Sequence, residues 1–121
     1  EKSGEPIALP IIEIKTEDEE WYDFKNRYTP GKSEHVVPAA LDENIADQIK
    51  EIALKAHKGL GLRDLSRSDF ILTDASDVFL LETNTLPGFT KTSLYPDSAR
   101  SYGMSFVDLV GHLTEAALAR R

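Results

Sequence analysis

A chain of 121 residues, 40% apolar and 29% charged, is long enough for one hydrophobic core and too short for two independent domains. Its net charge of −7 excludes the basic stripe that nucleic-acid backbones require, so a nucleotide partner should be small and metal-neutralised, and no apolar run is long enough to cross a bilayer. The absence of cysteine excludes disulfides, thiol chemistry and Cys-bound zinc, and is compatible with a reducing cytoplasm.

The first residues are charged and polar, without the basic-then-apolar order of a secretory leader, and they run straight into an apolar stretch. That beginning reads as a cut within a longer protein. Ile7, Leu9, Ile11, Ile12 and Ile14 predict a strand over 7–14, with Pro10 suited to an edge or a bulge. Residues 15–38 lose the periodicity: an acidic run, Glu17 to Glu20, precedes Trp21-Tyr22-Asp23-Phe24 and then Thr29-Pro30-Gly31-Lys32. A stretch this long without its own periodicity predicts a lid or binding loop, ordered by its aromatics, with the acids as a solvated run. Ile45, Ile49, Ile52, Ala53, Ala56 and Leu60 fall at helical spacing between Asp42 or Glu43 and Gly61, which predicts an amphipathic helix over 44–60.

Residues 66–73 and 78–84 read as two strands joined by the turn-formers Thr73-Asp74-Ala75-Ser76-Asp77. A turn centred on Ala75 and Ser76 sets Asp69 opposite Glu82 and Arg67 opposite Asn84. Residues i and i+2 share a strand face, so all four polar groups meet on one side. Phe70 and Leu72 then face Leu81 and Phe79 on the other side, which is the core side, and Leu81 points away from the carboxylates. Like charges directly opposite need a compensating cation. Arg67 could supply it, but an oxygen-only set of Asp, Glu and Asn also suits a hard divalent ion such as Mg2+. His35, His57 and His112 lack ligand spacing. Beyond the hairpin, 85–102 reads as a loop punctuated by Pro and Gly, with at most a short helical turn and a type II turn at Pro87-Gly88. Phe106, Leu109, Val110, Leu113 and Leu118 predict a terminal helix over 105–119. This order of elements predicts an α+β fold, an antiparallel sheet backed by helices, with more strands upstream.

Arg67-Ser68-Asp69-Phe70, Glu82-Thr83-Asn84-Thr85-Leu86-Pro87-Gly88-Phe89-Thr90 and Ser93-Leu94-Tyr95-Pro96 together resemble the C-terminal part of the D-alanine–D-alanine ligases, ATP-grasp enzymes of peptidoglycan (cell wall) synthesis. Leu9-Pro10 to Ile14 resembles the preceding strand, Trp21 to Tyr28 the omega loop, and Gly103-Met104-Ser105-Phe106 the start of the last helix. Glu-x-Asn alone is shared with other ATP-grasp enzymes, whereas Asn-Thr-x-Pro-Gly-x-Thr with the Ser-Leu after it is diagnostic.

The resemblance implies a cytoplasmic ligase in which ATP phosphorylates one D-alanine and the amine of a second attacks the acyl phosphate. It implies that Asp69, Glu82 and Asn84 hold two Mg2+ (or Mn2+) ions, with Glu82 bridging them. Arg67 matches the arginine that contacts the transferred phosphate, and Gly88 matches the glycine whose N–H serves an oxyanion hole. Ser93 and the Leu94 backbone match the pocket for the second D-alanine's carboxylate. Tyr28 stands where enzymes selecting D-alanine carry tyrosine and those favouring D-lactate carry phenylalanine. Trp21 replaces a phenylalanine beside adenine, Arg27 a lysine, and Leu81 matches an adenine-packing position. On this reading the whole of 1–121 is the C-terminal ATP-grasp subdomain, inactive by itself. The N-terminal and central domains would complete it, in a parent that is usually a homodimer. The alternatives are another ATP-grasp ligase, such as a D-alanine–D-lactate enzyme, and a non-catalytic binding module derived from the fold.

Overall fold

The computed structural model describes residues 4–16 and 33–120, with the side chains of Thr16 and Ser33 excepted. Among the described residues there are two antiparallel hairpins and three helices. The first hairpin pairs β1 (Glu13–Thr16) with β2 (Ser33–Val36), Glu13 opposite Val36 and Thr16 opposite Ser33. Only the last part of the strand predicted over 7–14 therefore enters a ladder. Pro10 has no N–H to give, and its neighbours bond elsewhere: Ile11 accepts from Ala39 N at 2.8 Å and Pro10 from the Ser98 hydroxyl. β2, with the sequence SEHV, carries no apolar alternation and was not legible in a segment read as loop.

Helix α1 (Glu43–Gly59) matches its prediction within a residue. The Asp42 carboxylate accepts from Asn44 N at 2.9 Å at its start. At its end Gly61, at φ 65°, donates to Lys58 O while Leu62 donates to His57 O, both at 3.0 Å. These two bonds form the paired closure that only a residue tolerant of positive φ permits. Ile49 and His57 are the buried positions of α1, and the helix lies against the second hairpin, β3 (Arg67–Leu72) and β4 (Val78–Asn84).

The stretch read as loop over 85–102 contains a nine-residue helix, α2 (Leu94–Tyr102). Pro96 hid it from pattern reading, yet proline in a first turn costs nothing because the N–H it lacks would have no partner there. Gly103 at φ 105° ends α2, donating to Arg100 O while Met104 donates to Ala99 O. Helix α3 (Phe106–Leu118) opens on a capping box, the Ser105 hydroxyl accepting from Asp108 N and the Asp108 carboxylate from Ser105 N. Helices α2 and α3 pack together with Ala99 and Leu109 buried, and Phe89, Tyr95 and Phe106 stack beside them, ring centres 6.2 and 5.8 Å apart.

Candidate active site

The register of β3 and β4 sets Arg67 opposite Asn84 and Asp69 opposite Glu82, as expected. The path to that register differs from the expected one. The ladder starts Leu72 to Val78, Ile71 to Phe79 and Phe70 to Leu80, so the turn is centred on Ala75. Thr73 closes this turn: its N–H donates to Asp77 O at 3.0 Å, its carbonyl accepts from Ser76 N at 2.9 Å, and Ser76 lies at φ 66°. A β-bulge at Leu81 then shifts the pairing by one residue, which brings Glu82 opposite Asp69.

Two predictions change with the bulge. Phe70 pairs with Leu80 and Leu72 with Val78, and the expected core side is only partly covered, with Phe79 54% and Leu81 58% exposed. Strand alternation also breaks at Leu81, so its side no longer follows from the strand period; it lines the same cleft as Glu82, Asp69 and Arg67, together with Phe70 and Leu72.

The cation beside Asp69 is Arg67, two residues away on the same strand. Its Nε donates to Asp69 Oδ1 at 2.8 Å and its Nη2 to Oδ2 at 2.9 Å, a planar fork on a carboxylate. Glu82 is exposed, and Asn84 Oδ1 accepts from Leu86 N at 2.9 Å, turning the chain out of β4. No group of three His, Cys, Asp or Glu gathers among the described residues. Two carboxylates and an amide nevertheless suit Mg2+, which is usually held by one or two carboxylates and completes its shell from phosphates and water. A carboxylate has about four lone-pair sites, so the two Arg67 bonds do not exhaust Asp69.

Gly88 is not at positive φ, so Pro87-Gly88 is not the type II turn expected. Glycine is needed there for another reason. A Cβ on Gly88 would lie 3.2 Å from Ser93 Oγ. That hydroxyl accepts from Thr90 N at 2.9 Å and shares a hydrogen with Thr90 Oγ1 at 2.7 Å, so it closes the 88–93 loop and leaves α2 without a side-chain cap. Pro96 has no N–H, and the amides that α2 offers at its first turn are those of Leu94 and Tyr95. Helix N-termini bind anions through such groups.

Leu94, Tyr95 and Ser98 line the same cleft of about 940 Å³ as the hairpin residues, between segment 6–14, α1 and β3. Asn84, Gly88 and Ser93 are not in its wall; Ser93 adjoins Leu94 in sequence and faces Gly88. Trp21, Arg27 and Tyr28 lie outside the described residues, as does Glu17 to Glu20. Sequence reading missed Tyr95, whose phenol burial pushes up to about 12, and the bond of buried His57, through Nδ1, with Ser66 Oγ at 2.8 Å, which joins the end of α1 to the residue before Arg67. Tyr95 stands in the Ser93-to-Pro96 motif without a role assigned to it there, and no motif marks His57 or Ser66.

The family model described as D-ala D-ala ligase C-terminus matches residues 1–115. The D-alanine–D-alanine ligase of Oleidesulfovibrio alaskensis is 49% identical over 112 residues, covering 93% of this chain and 36% of the relative. That of Pelotomaculum thermopropionicum is 46% identical over 114 residues, covering 94% and 36%. The chain thus spans about a third of the length of these relatives. Among solved structures, a Bacillus anthracis D-alanine–D-alanine ligase complexed with ATP superposes with a TM-score of 0.74 at 27% identity, over 92% of this chain and 34% of that one. The VanG D-Ala:D-Ser ligase of Enterococcus faecalis gives 0.69 at 29%, over 89% and 31%. These neighbours carry the ATP-grasp fold in mixed α+β form, with small antiparallel sheets and helices as here.

Proposed function

Since the chain belongs to the family described as D-ala D-ala ligase C-terminus, we propose that it is the C-terminal ATP-grasp part of a longer enzyme that joins two D-alanines at the expense of ATP. The γ-phosphoryl group passes to the carboxylate of the first D-alanine. The amine of the second then attacks the acyl carbon, and phosphate leaves as the peptide bond forms. The observation that carries this reading is the Asp69–Glu82 pair, flanked by Arg67 and Asn84 in one register and opening on the same cleft as Leu94.

Asp69, Glu82 and Asn84 would hold Mg2+ or Mn2+. When bound, the metal neutralises the phosphate charge that builds during transfer. Arg67, a permanently charged fork, suits the transferred phosphate. Leu81, in the wall of the same cleft, suits packing on adenine. Gly88, with no Cβ, lets its N–H approach the acyl oxygen, while Ser93 and the Leu94 amide take the carboxylate of the second amino acid. Tyr28, by its place in the motif, favours D-alanine over D-lactate as that acceptor, and the setting is the cytoplasmic assembly of cell-wall precursors. Glu82→Gln in the complete enzyme should abolish Mg2+-dependent phosphate release, a loss of about 10²-fold or more, or ~3 kcal/mol of transition-state stabilisation. Near-wild-type release would refute the metal assignment.

A further inference from the structure

Three side chains from one turn of α2 fasten that helix to three separate segments. Ser98, 8% exposed, donates its hydroxyl to the carbonyl of Pro10, 88 residues earlier and just ahead of β1. Asp97 accepts from His35 Nδ1 of β2 at 3.5 Å, across 62 residues. Arg100 pairs with Asp97 and donates to Lys91 O at 2.8 Å, in the loop between Gly88 and Ser93. Pro96 and Ala99, the latter 1% exposed, bring the backbone of α2 close enough for these bonds.

A helix of nine residues is too short to hold itself together, so its tertiary ties decide where it points. Ser98 lies four residues beyond Leu94, roughly 6 Å along the axis, so a tilt of about 10° there moves the first-turn amides by ~1 Å. A displacement of that size is enough to stretch a hydrogen bond from a first-turn amide to a bound carboxylate beyond its working length.

We infer that Ser98 and His35 are positioning residues that hold the first turn of α2, and with it the Leu94 amide, at the carboxylate of the second amino acid. The inference rests on the acceptor pocket proposed above. Neither residue needs to touch the ligand. The geometry reaches it through Ser98 to Pro10 on one side and through His35, Asp97 and Arg100 to the 88–93 loop on the other.

In the complete ligase, Ser98→Ala and His35→Ala should each raise KM for acceptor D-alanine by about fivefold or more, with kcat and the KM for ATP within about twofold. His35→Asn, whose amide N–H can still reach Asp97, should restore most of the loss. An unchanged acceptor KM, or a parallel decline in every parameter, would overturn the inference; His35, on a half-exposed strand, decides the matter if Ser98→Ala fails to fold. A readout independent of activity is hydrogen exchange across residues 94–102 of this chain, expected to be about tenfold faster in His35→Ala than in wild type. Equal exchange would show that the tie does not hold α2. Absence of D-alanine-dependent ADP formation by the wild-type enzyme, with exchange accelerated as expected, would instead refute the proposed activity and leave the fastening of α2 standing.

Discussion

A side chain at position 88 would crowd Ser93. The Ser93 hydroxyl is held by two bonds to Thr90, so it cannot swing away from a Cβ at 3.2 Å without breaking them. Gly88→Ala in the complete ligase is therefore expected to raise acceptor KM by about tenfold while the melting temperature falls only a few degrees. Steady-state kinetics and a thermal melt check both parts. Tyr95 supplies a prediction with a defined sign. Its phenol is pushed up to about 12 by burial, so above pH 10 the unfolded chain gives up a proton that the folded chain retains. Stability should fall as pH rises from 10 towards 12, and Tyr95→Phe should flatten that fall in urea titrations between pH 9 and 11.5. His35 titrates in the opposite regime: burial lowers its pKa, and Asp97 beside it already shares its charge with Arg100. The unfolded state takes up the proton first there, so stability is lost as pH drops through the ordinary histidine range.

Among the elements, the β3–β4 hairpin is the most instructive. The expected facing of Asp69 and Glu82 is present, but a turn centred one half-step earlier and a bulge at Leu81 combine to produce it. Deleting Leu81 would leave the pairing intact, because Leu80 would be followed directly by Glu82. That variant should bind Mn2+ within about twofold of wild type, by electron paramagnetic resonance, yet show a severalfold higher KM for ATP in the complete enzyme. A parallel loss of Mn2+ binding would mean that the bulge shapes the metal ligands and not the adenine wall. The helices divide in the same way. Helices α1 and α3 were legible because apolar spacing and N-terminal caps agree, with a glycine stop for α1 as well. Helix α2 was not, because its core contacts are Pro96, Ser98 and Ala99, which carry no apolar periodicity.

At the scale of the molecule, the small number of fully buried side chains among the described residues and the large open cleft lined by 6–14, α1 and β3 fit a unit that shares its site with other parts of a longer polypeptide. No helix among the described residues is long and apolar enough to cross a membrane. The 121-residue chain alone is expected to show no D-alanine-stimulated release of phosphate from ATP, measured against the complete ligase at equal molar concentration. Release by the chain alone would place the entire catalytic apparatus within it.

Local chemistry in the sequence was sufficient for the family, the α+β class, the first and last helices and the facing of Arg67, Asp69, Glu82 and Asn84, since these depend on neighbours in sequence and on the two-residue period of a strand. It could not say which cation neutralises Asp69, where the strand period fails, what residue 88 packs against or what aims α2. Each of those was decided by groups that only the fold brings together: the Arg67 fork on Asp69, the bulge that breaks alternation, the Ser93 hydroxyl against Gly88, and the carbonyl of Pro10 beneath Ser98.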